Sequence, residues 1–504
     1  MSIAHIPLGR RIPDSLHGVS FSLPTMRDVI GYEERDPEVV RHITSGYPRF
    51  VQHPLLRQAA EHMVRALHLE GRRIWTTASI RAAAELCRQL APAAAQVVTH
   101  GGLTGVAFPE DDDIYSRAKT FLQHTGTLLS SREAEDYLVR NGVLPAAAPE
   151  PAFDGYAPGR VKGMVARAFG HDWSDDVFLA NSGMNAVYAA FRVADAAQRA
   201  RGRTRWVQLG WLYMDTIAIL QKFTAQPARD YHFIAEPATD AGLAQLRAHF
   251  KTHGAEIAGV IAEAPTNPML QTPDLAAVAA LCRAHGAVFI VDPTVASPLN
   301  INVFPHADVA VNSLTKYAAN CGDVIAGAVV VNPHSGWAGA FRAELPGHLE
   351  PVYSRDMARL AAQIGDYAPV IAQINRSVPA VVDFLHAHPA VDRVFWSMQP
   401  GANRDNYLAL AKRPDAVGSM VSFTLKNKPP AWFYDRVRLA KGPSFGMKTT
   451  LISPFLYMAH FDLVKTRAGR EKLAAAGVPP DIMRLSVGCE PPGEIIAALD
   501  EALQ

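Results

Sequence analysis

The stretch Val311-Asn312-Ser313-Leu314-Thr315-Lys316-Tyr317, followed by Gly322-Asp323 and Ala326-Gly327, decides how the chain reads. Ala307 to Val311 is an apolar run of strand length, and Ser313 to Lys316 come just past its end. A lysine amine between hydroxyl side chains can form a Schiff base with a carbonyl compound, and the Ser and Thr hydroxyls can hydrogen-bond a phosphate. That is the layout of a pyridoxal phosphate attachment site. A buried turn with a structural lysine has the same local sequence, so the surrounding chain must choose.

Outward from this stretch, residues 156 to 335 alternate short β-branched runs with amphipathic helical ones. Val177 to Ala180, Trp206 to Leu209, Ile257 to Ala262, Ala287 to Asp292 and Ile325 to Val331 read as further strands. Helical stretches run from Met184 to about Ala200 and onward from Tyr213. Strands separated by helices predict βαβ units and a mostly parallel sheet covered on both faces, with ligands at the carboxyl ends of its strands. The polar motifs fall at those ends. Beyond residue 350, Met357 to about His386 reads as helix and leads into a smaller α+β region. Its strands lie near Val391–Phe395, Met420–Thr424 and Met483–Val487. Before residue 156, Ile80 to Leu90 reads as an amphipathic helix, and Ser130-Ser131-Arg132-Glu133 as a helix start. The expected division is an N-terminal arm (1–60), an inserted helical segment (61–155), a large cofactor-binding domain (156–375) and a small C-terminal domain (376–504).

The bulk composition excludes several classes. A chain of 504 residues exceeds what one core usually holds, and 49% hydrophobic with 19% charged residues describes an ordinary globular protein. A net charge of +1 gives no electrostatic case for nucleic acid or an anionic membrane. No apolar run reaches the roughly 18 residues that span a bilayer. The N-terminus lacks a basic-then-apolar leader, so a cytoplasmic protein is expected. Cys87, Cys282, Cys321 and Cys489 are scattered, and the histidines form no ligand-type spacing, so no metal site is expected.

A pyridoxal phosphate enzyme needs four things besides its lysine. Asn181-Ser182-Gly183-Met184, between a strand and an alanine-rich helix, offers backbone N–H donors to the phosphate. Asp292, ending the apolar run Val288-Phe289-Ile290-Val291, can keep the pyridine nitrogen protonated. Tyr213 can face the ring and, as a phenol, move protons. Arg484, in Arg484-Leu485-Ser486-Val487-Gly488, can hold a substrate carboxylate with both ends of its guanidinium.

With these residues in place the chain resembles the Cys/Met metabolism family of pyridoxal phosphate enzymes, which holds cystathionine γ-synthases, cystathionine lyases, methionine γ-lyases and O-acylhomoserine sulfhydrylases. The family's landmarks stand in order as Tyr47-Pro48-Arg49, Ser182-Gly183-Met184, Tyr213-Met214-Asp215-Thr216, Glu263-Ala264-Pro265-Thr266-Asn267-Pro268, Asp292-Pro293-Thr294, Ser313 to Tyr317, Ser444-Phe445-Gly446 and Arg484 to Gly488. The resemblance implies an α/β protein of the fold type I aminotransferase architecture, with a mostly parallel seven-stranded sheet in the large domain. It implies that Lys316 carries the cofactor and shuttles protons, that Asp292 pairs with the pyridine nitrogen, and that Asn267 meets the ring hydroxyl. Gly183 and Met184 beside Ser182, with Ser313, Thr315 and Thr294, complete the cofactor set. Tyr213 stacks on the ring, and Ser444 and Arg484 take the substrate carboxylate. Tyr47 and Arg49 are implied to reach the phosphate of a neighbouring subunit in a homodimer, generally paired into a tetramer.

The departures from the family pattern are Thr449 where the distal glutamate stands, Met214-Asp215 after the tyrosine, and Asn320-Cys321-Gly322 after the lysine. They are expected to sit where side-chain specificity is set. The phrases around Ser444 and Tyr47 are similar to the fungal-type cystathionine γ-synthases, which implies γ-replacement on an O-acylhomoserine by a thiol such as cysteine. A C–S lyase, or a specialised-metabolism enzyme bringing another nucleophile to the vinylglycine chemistry, uses the same residues. The 61–155 insertion is expected to be a cap or an oligomer contact.

Overall fold

The computed structural model describes residues 5–47, 50–171 and 174–504. The N-terminal arm lies along both domains: Val19 N–H bonds Gly322 O of the large domain, while Leu23 N–H bonds Lys441 O and Met26 N–H reaches Asp435 Oδ1 at 2.7 Å in the C-terminal domain. Helix α1 (Met26–Glu33) starts at a capping box in which Thr25 and Asp28 each accept from the other's backbone.

The segment expected to be a helical insertion is only partly helical. Arg72–Thr77, Leu103–Pro109 and Gln96–His100 form a three-stranded antiparallel sheet with the second of these at its centre. Ile74, Leu103 and Ala107 pack under the helices Pro54–Ala66 and Ser131–Arg140. Trp75, Val106 and Phe108 pack under Ile80–Leu90 and α2 (Asp112–Thr125) on the other face. Alternating faces explain this sandwich. Gln96–His100 is mostly exposed and polar, so its strand pattern is faint in the sequence.

In the large domain, α3 (Gly183–Arg199) and α4 (Met214–Phe223) accompany seven strands: β1 (Val177–Ala180), β2 (Arg205–Leu209), β3 (Tyr231–Ile234), β4 (Ile257–Glu263), β5 (Val288–Asp292), β6 (Val309–Ser313) and β7 (Gly327–Val331). Their order is β1-β7-β6-β5-β4-β2-β3, and only β7 runs against the rest. The four-residue edge strand β3 is half-exposed, and no apolar run marks it. Val288, Ile290, Val309 and Val311 face Val187 and Phe191 of α3, whereas Phe289, Val291 and Ala310 face the opposite helical layer. Burial on both faces is why these strands read as continuous apolar runs.

The small domain holds a five-stranded sheet ordered β8-β9-β12-β11-β10, built from β8 (Val391–Phe395), β9 (Met420–Leu425), β10 (Ala440–Lys441), β11 (Leu451–Pro454) and β12 (Met483–Ser486). The connection to it is two helices, Ser354–Gln363 and Tyr367–Ala387, joined by a single 3₁₀ turn.

Candidate active site

The carboxyl ends of β4, β5 and β6 open into one cavity of about 920 Å³. Asp292 ends β5, in register with Glu263 at the end of β4. Burial pushes the Asp292 carboxyl up to about 6, against the opposing pull of Thr294's hydrogen bonds and the charge of Lys316. Glu263 is raised well above the carboxylate range by burial and by the neighbouring Asp292. Its two oxygens accept from Tyr213 N–H at 2.5 Å and Asn267 N–H at 3.2 Å. One buried acid therefore fixes two of the expected site residues. Nothing in the sequence pattern singles it out for that part, although Glu263 opens the Glu-Ala-Pro-Thr-Asn-Pro motif.

Lys316 follows β6. Its Nζ donates to Tyr47 Oη and lies 3.4 Å from Ser444 Oγ, while Tyr47 Oη and Ser444 Oγ are 2.7 Å apart. The ammonium also stands 4.6 Å from the Tyr47 ring centre and 4.9 Å from that of Phe445. Ser444 has φ +87°, a left-handed conformation uncommon for a side-chain-bearing residue. The resemblance gave Tyr47 to a neighbouring subunit's phosphate. Within the chain Tyr47 Oη meets Lys316 and Ser444, and beside it Ser45 Oγ donates to Gly18 O of the same arm. Arg49 falls outside the described residues.

Ser182 caps α3 by accepting from Asn185 N–H at 3.0 Å and donates to Gly126 O at 2.9 Å. A Cβ on Gly183 would stand 2.8 Å from Ser313 Cβ and 2.9 Å from its Oγ. The helix start and Ser313 thus form a close cup for an anion. Met184, Thr294 and Thr315 line the same cavity. The Thr294 hydroxyl accepts from Ser313 N–H at 2.9 Å, and the Thr315 hydroxyl bonds both Ala326 O and Ala326 N–H, so both also tie the cup's backbone together.

Arg484 on β12 is buried. Its Nη2 donates to Ser444 O at 2.9 Å and its Nη1 to Asn267 Oδ1 at 3.4 Å, while its guanidinium rests 4.5 Å from the Phe455 ring centre. Burial pulls it down to about 10, and Nε has no hydrogen-bond partner among the described residues. A buried guanidinium with a vacant donor and no carboxylate among its hydrogen-bond partners suits an incoming carboxylate. An anion cup, a buried acid, a lysine and this arginine around one cavity match the donor and acceptor set of pyridoxal phosphate with an amino acid.

Of the altered positions Met214 lines the cavity, whereas Asp215, Asn320, Cys321, Gly322 and Thr449 do not. Asp215 is buried and accepts from Gln123 Nε2 at 2.9 Å, facing α2 of the insertion. Two residues along a helix turn a side chain by roughly 200°, so Asp215 points away from the side where Tyr213 sits. Cys321 N–H and Asn320 Nδ2 bond Gln363, and Gly322 meets the N-terminal arm. Thr449 is absent from the cavity wall, and its neighbour Thr450 bonds Glu490 Oε2 at 2.6 Å. The distal wall comes instead from Tyr115, Lys119 and Gln123 of α2, Glu33 at the end of α1, and Met458 and His460 of the small domain.

The fold and this site define a pyridoxal-phosphate-dependent enzyme. The Cys/Met metabolism PLP-dependent enzyme family matches residues 172–504. The L-2-amino-4-chloropent-4-enoate dechlorinase/desaturase of Streptantibioticus cattleyicolor is 39% identical over 97% of this chain and 96% of its own. A cystathionine γ-synthase of Neurospora crassa is 26% identical over 99% of this chain and 98% of its own. The cystathionine γ-lyase of Lactobacillus plantarum shares the fold, with a TM-score of 0.56 at 22% identity over 68% of this chain and 86% of its own. The chain belongs to the Cys/Met metabolism family of pyridoxal-phosphate-dependent enzymes. No helix among the described residues is long and apolar enough to cross a membrane.

Proposed function

We propose that this enzyme eliminates a γ-substituent, departing as an anion, from a short α-amino acid, with a γ-chloro-alkenyl amino acid as the substrate of choice. The family works at the γ-carbon by elimination or replacement. The observation that carries the choice is the 39% identity to the dechlorinase/desaturase across nearly the whole of both chains, the insertion included. The geometry of the cavity supports it, since Tyr115, Lys119 and Gln123 of that insertion line the cavity.

When bound, pyridoxal phosphate supplies an electron sink for the substrate's α-carbon. Arg484, with Ser444 beside it, holds the α-carboxylate through the donors now spent on Ser444 O and Asn267. Asp292 would be the acid partner of the pyridine nitrogen. The cup at Ser182, Gly183, Met184 and Ser313 would take the phosphate, Thr294 and Thr315 hold that cup's backbone, and Asn267 would meet the ring hydroxyl. Lys316 would carry the cofactor, take the α-proton and work next at the β-carbon. Tyr213, fixed through its backbone by Glu263, would cover the ring. Net loss of one proton and one chloride leaves a more unsaturated carbon chain, and no nucleophile is required. We propose a homodimer or homotetramer as the working assembly.

Purified enzyme incubated with L-2-amino-4-chloropent-4-enoate should release chloride and a product lighter by the mass of HCl. Enzyme that turns over an O-acylhomoserine with cysteine while leaving the chloro compound intact sinks the proposal. That outcome is the second reading, γ-replacement by a thiol, which the cystathionine γ-synthase relatives favour. Release of a 2-oxo acid from cystathionine without added thiol marks the C–S lyase alternative.

A further inference from the structure

Helix α2 of the insertion runs along the wall of the active cavity. Its C-terminal end meets the cofactor cup, where Gly126 O accepts from Ser182 Oγ at 2.9 Å. Tyr115, Lys119 and Gln123 are spaced by four residues, so they form one stripe, and all three line the cavity. Counting back from Gly126 at 1.5 Å per residue puts Lys119 roughly 10 Å along the helix from the cup. That is the length scale of a cofactor carrying a short amino acid.

Lys119 is half-buried, and burial draws its ammonium down to about 8, aided by Arg35 and opposed by Glu33. Among the described residues no carboxylate comes within ion-pair distance of it and no acceptor takes its protons. A desolvated ammonium of this kind is costly unless something pairs with it. Glu33, which lines the same cavity from the end of α1, is raised by burial to about 7 and makes no ion pair either, among the described residues. Tyr115 Oη donates to Gln52 Oε1 at 3.1 Å, which leaves the amine as the stripe's charged group.

We propose that Lys119 forms an anion-receiving site for the substrate's γ-leaving group, a halide or a carboxylate. The inference rests on the reading that a γ-substituent departs as an anion. In the reacting complex the electron pair of the bond from Cγ to its substituent leaves with the halide or carboxylate, and Lys119 offsets the charge without giving up a proton. The insertion then sets which substrates react.

Chloride binding to the cofactor-loaded enzyme can be read without turnover from the ³⁵Cl NMR linewidth during a sodium chloride titration. The wild type should show a saturable broadening component, lost in Lys119→Met and restored in Lys119→Arg. Bromide displacing chloride more strongly than acetate assigns a halide; the reverse order assigns a carboxylate. Equal saturable broadening in wild type and Lys119→Met overturns the site. Should Lys119→Met fail to fold, Glu33→Gln with Lys119 intact should tighten chloride binding, and unchanged binding there overturns the site equally. Because no reaction is monitored, inactivity toward the chloro-alkenyl substrate leaves this result standing, so the two proposals fail separately.

Discussion

Gly183→Ala is the sharpest perturbation of the cofactor cup. The added Cβ would meet Ser313 Cβ at 2.8 Å, Ser313 Oγ at 2.9 Å and Ser313 Cα at 3.2 Å. Ordinary contact begins at 3.4 Å, so the first turn of α3 and the end of β6 must part by about half an ångström or more. Neither side gives easily. Ser313 N–H is tied to Thr294 Oγ1 at 2.9 Å, and the helix start is tied through Ser182 to Gly126. Overpacking of this sort costs about 1–3 kcal/mol. Parting the cup draws its N–H donors away from the phosphate, so most of that cost should appear as weaker cofactor binding. At about 1.4 kcal/mol per decade, the dissociation constant for pyridoxal phosphate should rise roughly 5- to 150-fold. Stripped enzyme titrated with pyridoxal phosphate, followed by visible absorbance, measures it. Gly163→Ala, whose Cβ would meet only Arg167 Nη1 at 3.5 Å, serves as the control. A Gly183→Ala dissociation constant within about twofold of wild type would refute the cup.

Arg484→Ala should raise KM for the amino acid by a factor of about 10 to 1,000 while cofactor absorbance persists, since a buried charge-assisted pair is lost, and unchanged KM would move the carboxylate elsewhere. Burial raises the folded-state carboxyl of Asp292 to about 6, so the cofactor-free protein binds more protons than the unfolded chain between about pH 4 and 6. Its stability should therefore fall as pH rises through that window and level off above it, by on the order of 2 kcal/mol relative to Asp292→Asn, which denaturant melts across pH will register. Asp215→Asn should lower the melting temperature, because the insertion loses the carboxylate that accepts from Gln123, yet leave KM nearly unchanged because Asp215 is off the cavity wall. A large KM effect with no change in melting would restore Asp215 to substrate recognition.

The large domain was legible because β4, β5, β6 and β7 are buried on both faces and so carry uninterrupted apolar runs that end in chemistry. Asp292 and the Ser313 to Lys316 turn stand where those runs stop. Helix Ile80–Leu90 and the start at Ser130 came out of caps and periodicity, which are local signals. The insertion's sheet did not, since two of its strands carry charged or exposed polar residues and gain their order only from helices on either side. The distal wall was equally hidden. Glu33 and Lys119 come to line the same cavity as Lys316 only through tertiary packing of three separate segments, and no spacing in the sequence links them. Asp215 was misplaced for a simpler reason: adjacency to Tyr213 in sequence says little about direction when a helix begins between them.

The central claim is that Lys316 is the residue that holds pyridoxal phosphate in the cavity framed by Asp292, Ser182 and Arg484. Borohydride reduction of the purified holoenzyme, followed by peptide mass spectrometry, tests it directly. A pyridoxyl-phosphate adduct on the peptide carrying Lys316, and on no other lysine, is the predicted result. An adduct on a different lysine, or no adduct on an enzyme that retains its visible absorbance, would contradict it.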